Sequence, residues 1–192
     1  MQKLTESYKA AVALVEQRLD WTLPTLARFS FAAVLLLYFW KSAMTKVGDG
    51  IFGIFTPSLG AYAQIFPRAM EAVSYDVSQL GLFHWLVVFA GTLAEFVLPA
   101  LLLVGLLTRL SALGMIGFVF VQSLTDINGH QVGAAALGAW FDRFPDAAIL
   151  DQRLFWVLGL WLLVVKGAGP VSLDYLLSKR GAKTLVSARP AL

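Results

Sequence analysis

Cysteine is absent from all 192 residues. Its absence excludes structural disulfides, thiol relays, and cysteine-ligated iron–sulfur or zinc sites. Charge is scarce as well: 14% of residues are charged, against about 25% in an average soluble domain. That leaves too little polar side chain to coat a water-facing surface. No GxSxG, Walker loop or HExxH motif occurs, and there is neither a repeat of fixed period nor a low-complexity segment. Residues 1–22 contain Glu6, Glu16 and Asp20 and lack a short apolar core with a cleavage site, so they do not read as an export signal. Histidine occurs only twice, at 84 and 130. A haem or metal site would need both rings at one height, and His84 and His130 could meet only near one surface. Two interfacial polar side chains are the simpler reading, so no metal is expected.

What the chain does have is apolar side chain: 58% hydrophobic residues, 13% aromatic, and a mean hydropathy of +0.73. The length suits one domain. Four apolar runs stand out, at about 23–40 (to 47 if the helix continues), 83–107, 110–125 and 154–172, each close to the ~20 residues that cross a bilayer. Ahead of them, residues 5–19 place Val12, Val15 and Leu19 on one side of a helix that lies on the membrane surface. Two long connections, 48–82 and 126–152, are rich in glycine, proline and aromatics. The aromatics of the first (Phe52, Phe55, Tyr62, Phe66) suggest that it packs back onto the bundle as a cap. The expected architecture is all-α: an integral membrane up-down four-helix bundle with a short N-terminal interfacial helix and two long outer loops. It divides into an interfacial amphipathic helix (1–22), a four-helix transmembrane domain (23–176) and a basic cytoplasmic tail (177–192).

Net charge is +3, with a pI near 9.3, but the bases lie at the ends of apolar runs, which argues for a membrane rather than nucleic acid. One side receives Lys3, Lys9, Arg18, Arg28, Arg109, Lys166, Lys179, Arg180, Lys183 and Arg189; the other receives Lys41, Lys46, Arg68, Arg143 and Arg153. The richer side is expected to be cytoplasmic, which puts both termini inside, at a cell's inner membrane.

Glu95 is the most informative residue. An ionised side chain inside a span is costly unless it is paired or protonated. At ~1.5 Å per residue, Glu95 stands roughly 21 Å above the boundary marked by Arg28 and Arg109, with Lys41 and Gln122 both at roughly 20 Å. Three polar side chains from three helices thus share a level in the outer half of the membrane. Glu95 could line a polar pocket open to the outer face, accepting a proton or touching a ligand, with Lys41 as counter-charge. It could equally form a buried ion pair that fixes how two helices pack. The small residues Ala90, Gly91 and Ala94 favour close helix contact in either case.

The polar landmarks also carry a resemblance. Leu26-Ala27-Arg28 opens the first span, Ser42-Ala43-Met44-Thr45-Lys46 follows it, and Leu93-Ala94-Glu95 lies in the second. The run Gly105-Leu106-Leu107-Thr108-Arg109 comes next, and Gly167-Ala168-Gly169-Pro170-Val171-Ser172-Leu173-Asp174 closes the set. In this order, over about residues 26–176, they resemble the DoxX family. The resemblance implies a small four-helix membrane protein in which Arg28, Arg109, Ser172 and Asp174 are motif residues. The family shows one lysine where this chain offers Lys41 and Lys46, so the candidates for the polar pocket are Glu95, Lys41, Lys46 and Gln122. Members are associated with membrane oxidoreductase systems, which implies a non-catalytic or quinone-facing subunit with a membrane or periplasmic protein partner and, apart from a quinone, no cofactor. Two alternatives stay open. One is a small-molecule or ion carrier using Glu95, for which Pro99 is the only hint of a broken helix. The other is a membrane anchor or assembly factor that binds a partner through its outer loops.

Overall fold

A computed structural model describes residues 1–187, which are helical with no strand among them. Four helices are long and apolar enough to cross a membrane: Thr22–Met44, Leu82–Val104, Thr108–Gly129 and Ala148–Lys166. The first packs against the second and the fourth, and the third likewise packs against the second and the fourth, so the four close around a shared core. A separate N-terminal helix, Gln2–Leu19, precedes them, and Leu173–Ser187 follows. Of the tail bases, Arg189 and the side chain of Lys183 lie outside the described residues.

The core is a stripe on each span. Phe31, Leu35 and Phe39 from the first meet Leu102 from the second, Ala112, Met115 and Val119 from the third, and Leu160 and Leu163 from the fourth. Lipid tails are as apolar as these side chains, so close packing rather than escape from water holds them together. The ring of Phe39 is met edge-on by Phe118 at 5.8 Å and Trp156 at 6.2 Å. Residues four apart drift by about 40° per step in an ideal α-helix. A π-helical turn at Ala32–Leu36 absorbs an extra residue in its wider turn, and it keeps Phe31, Leu35, Phe39 and Ala43 all buried.

Several expected boundaries move. The fourth span ends at Lys166 rather than near 172, because Gly167 and Gly169 take φ of +83° and +76° and Pro170 follows. Segment 48–82 is not a plain loop. It holds the helices Leu59–Ile65 and Pro67–Ala72, the first N-capped by the Ser58 hydroxyl and the second opening on a proline. Its residues Ala61, Tyr62 and Met70 bury against Val88 of the second span, and Phe55 stacks on Phe89 at 5.6 Å. The second span runs through Pro99 as one helix.

Candidate functional site

Arg28 gathers one end of the bundle. Its Nε donates to Leu102 O at 2.9 Å and its Nη2 to Leu103 O at 2.6 Å. Its Nη1 reaches Ala168 O at 3.0 Å and Val171 O at 2.5 Å. The last carbonyls of a helix have no partner within it, and a planar guanidinium with several fixed donors can serve two chain segments at once. Gly105, at φ +68°, leaves the room required: a Cβ there would lie 2.5 Å from Ser172 Cβ and 2.7 Å from Arg28 Cζ. The Ser172 hydroxyl donates to Gly169 O at 2.6 Å and accepts from Tyr175 N at 3.2 Å. Asp174 accepts the amides of Leu107 (2.8 Å) and Thr108 (2.9 Å) and so caps the third span from another helix. Arg109 is exposed and donates to Val164 O at 2.7 Å, tying the third span to the fourth. Arg28, Ser172 and Asp174 therefore converge, but their donors and acceptors are spent on backbone. They form a fastening, and Arg28 is a buried link rather than a surface charge.

Burial pushes the Asp174 carboxyl up, but the hydrogen bonds from Thr108 and Leu107 and the charge of Arg28 outweigh it and hold the group below the usual aspartate range. A carboxyl depressed on folding stabilises the fold above its unfolded value and loses that contribution as pH falls through the folded value. Acidification from about pH 6 to about pH 3 is thus expected to lower the thermal midpoint of the wild type more than that of Asp174→Asn. Parallel curves for the two would show that the capping carboxylate contributes nothing.

The other half of the bundle holds a cavity of ≈ 540 Å³ between the first, second and third spans, beneath the Leu59–Ile65 helix. Gly91 and Ala94 of the second span and Gly114, Gly117 and Phe118 of the third form apolar walls. At mid-depth stands an ion pair: Lys46 Nζ lies 3.1 and 3.0 Å from the two Glu95 carboxylate oxygens, with both residues about 95% buried or more. Lys46 also donates to the Ser42 hydroxyl at 2.7 Å and to Ser42 O at 3.2 Å, and that hydroxyl lies 3.1 Å from Glu95 Oε1. Gln122 Nε2 donates to the Tyr38 hydroxyl at 3.0 Å, while Gln122 Oε1 is buried with no hydrogen-bond partner. Toward the mouth, Asp126 pairs with buried Arg153 at 2.5 Å, and Arg153 also donates to Ser123 at 2.8 Å.

Glu95, Lys46 and Gln122 thus line one cavity, and Lys41 does not join them. Lys41 is exposed, and the counter-charge of Glu95 is Lys46. Rise along a helix fixes a side chain's height but not its direction. Tyr38, Ser42 and Lys46, four apart, point into the cavity, whereas Lys41 projects about 100° away from Ser42. Ala90, Gly91 and Ala94 line the cavity rather than a tight helix seam. Of the two histidines, His130 Nε2 lies 2.9 Å from Gln64 O, and His84 packs edge-on to Phe66 at 4.8 Å. Among the described residues, no group of three or more His, Asp or Glu is placed to hold a metal. Sequence reasoning overlooked Tyr38, Ser42 and the Asp126–Arg153 pair, although the spacing of four through 38, 42 and 46 was there to be seen.

In comparison with known proteins, a family model described as DoxX fits residues 23–125, more than half of the 192-residue chain. The match ends short of Ser172 and Asp174; Asp174 bonds to groups inside it, its amide donating to Gly105 O and its carboxylate accepting from the amides of Leu107 and Thr108. No curated protein and no solved structure matches.

Proposed function

The chain belongs to the DoxX family of membrane proteins, and from that premise we propose that it serves as a quinone-facing subunit of a membrane oxidoreductase assembly. The observation that carries this reading is the cavity, whose apolar walls end in a few convergent polar groups, the usual make-up of a small-molecule site. Its ≈ 540 Å³ lies within the 300–1,000 Å³ range of such sites. The Tyr38 hydroxyl accepts from Gln122 and keeps its own proton, which can be donated to a ligand carbonyl. Here the chain's residues bind and orient; the electron chemistry would belong to the quinone and to a protein partner reached from the mouth of the cavity.

Binding tests this directly. At Gly117, which borders the cavity, a Cβ would meet nothing within 4 Å, so Gly117→Leu is the substitution chosen to narrow it. Titration of a decyl-substituted benzoquinone into protein in nanodiscs is expected to show saturable binding, weakened at least about tenfold in Gly117→Leu, or about 1.4 kcal/mol. Equal affinity in the two proteins would remove the cavity from consideration.

In the proposed orientation the bundle runs up and down through the inner membrane, with both termini on the cytoplasmic side. Taking out buried Arg28 on one side, and buried Lys46 and Arg153 on the other, leaves nine bases against three, a stronger bias than the raw count. The N-terminal helix lies along the cytoplasmic surface, and the Leu59–Ile65 helix faces outward, where a partner would dock. Reporter fusions at residue 60, at residue 140 and at the C-terminus are expected to read outside, outside and inside; an external C-terminus would invert the arrangement.

A further inference from the structure

The cavity is open on its membrane side. Ala90, Gly114, Gly117 and Val121 border it and are exposed, and all four lie within the second and third spans, where exposed surface meets acyl chains rather than water. Gly117 faces open space, with nothing within 4 Å of where a Cβ would stand, so a hydrophobic molecule dissolved in the bilayer can enter from the side.

The head it brings must suit the groups that remain uncommitted. Lys46 has three protons, and the Ser42 carbonyl, the Ser42 hydroxyl and the Glu95 carboxylate take them. Asp126 and Arg153 neutralise each other. Among the described residues that line the cavity, no Lys, Arg, Asp or Glu is left without a counter-charge, so a charged head would lose its hydration without a strong partner there. Among the same described residues, the buried polar atom without a partner is Gln122 Oε1, beside the Tyr38 hydroxyl. A carbonyl oxygen can only accept, and an unpaired buried acceptor is costly until a donor reaches it. A dione brings acceptors alone, whereas a diol brings a donor for Gln122 and an acceptor for Tyr38.

We infer that the cavity selects a neutral, hydroxyl-headed hydrophobe entering from the bilayer, and that between the two redox forms of a quinone it prefers the hydroquinone. The inference rests on the cavity being the ligand site. It is tested with wild-type protein in nanodiscs under anaerobic conditions, titrated with decyl-hydroquinone, decyl-benzoquinone and 1-decanol as separate probes. The hydroquinone is expected to bind about tenfold more tightly than the benzoquinone. Gln122→Met keeps the side chain's length and removes the acceptor, and it should bring the two affinities together; Tyr38→Phe should weaken the benzoquinone more than the hydroquinone. Decanol binding that is lost in Gln122→Met would support the hydroxyl-headed class with an aliphatic source. Equal affinities for the two redox forms, unchanged by Gln122→Met, would overturn the preference yet leave a quinone site standing. Failure of all three probes to bind would overturn both.

Discussion

Arg28→Met is expected to destabilise the protein by ~3–5 kcal/mol, the class of loss seen when a buried charged network loses a partner. The variant removes the side-chain donor from four carbonyls at once, those of Leu102, Leu103, Ala168 and Val171, of which Leu102 O keeps the Gly105 amide. A single buried acceptor left unpaired costs about 1–3 kcal/mol, and water entering the bundle end recovers part of the total. Arg28→Lys should recover only part of the loss, because an ammonium cannot span two segments as the guanidinium fork does. Thermal midpoints in one detergent measure both. A methionine variant as stable as the wild type would mean that the convergence of Arg28 with Gly105 and Ser172 holds nothing together.

The second large effect lies at the ion pair. Glu95→Gln leaves the Lys46 ammonium buried without a counter-charge, and Lys46→Met leaves the Glu95 carboxylate in the same condition, each a defect of ~3–5 kcal/mol. The double variant should be markedly more stable than the sum of the single losses implies, since both charges leave together. Lys41→Met serves as the contrast: Lys41 is exposed, and its removal should neither destabilise the protein nor couple to Glu95→Gln. Strictly additive losses for Glu95 and Lys46 would show that the 3.0 Å contact carries no coupling energy.

The parts of this molecule legible in sequence are those that hydropathy writes over many residues. Four apolar runs of about the right length yield four spanning helices, and Glu95 stands out because a lone carboxylate in a run such as Leu93–Val97 has no cheap place to go. Partner choice was harder, for local reasons. Lys41 and Lys46 are both near the level of Glu95 by rise alone; which one points inward depends on helical phase, and the π-helical turn at Ala32–Leu36 alters that phase without an obvious sequence mark. Tyr38 is hidden inside the run from Phe29 to Trp40, where its ring reads as apolar and only its hydroxyl matters. Arg28 reads as a boundary charge, because nothing local reveals that carbonyls 74 to 143 residues away in sequence will meet it. The helices within 48–82 did carry signals, Ser58 as a cap and Pro67 at a first turn, but each is short and sits among glycines that suggest loop. Asp126 and Arg153 lie 27 residues apart in what looks like one polar connection, and only the return of the fourth span beside the third brings them together.

The central claim, that the slot between the second and third spans admits a bilayer-borne ligand to the polar groups around Gln122, is tested most directly by photolabelling. A quinone bearing a photoreactive azide on its ring, activated in membranes containing the intact protein, marks whatever surrounds the ring, and peptide mass spectrometry locates the marks. Labels are expected on residues 87–95 and 114–122, and excess unlabelled quinone and Gly117→Leu should each abolish them. Labelling spread evenly over exposed positions outside those segments, such as Phe29, Leu110 and Phe155, unaffected by competitor or by Gly117→Leu, would contradict the claim.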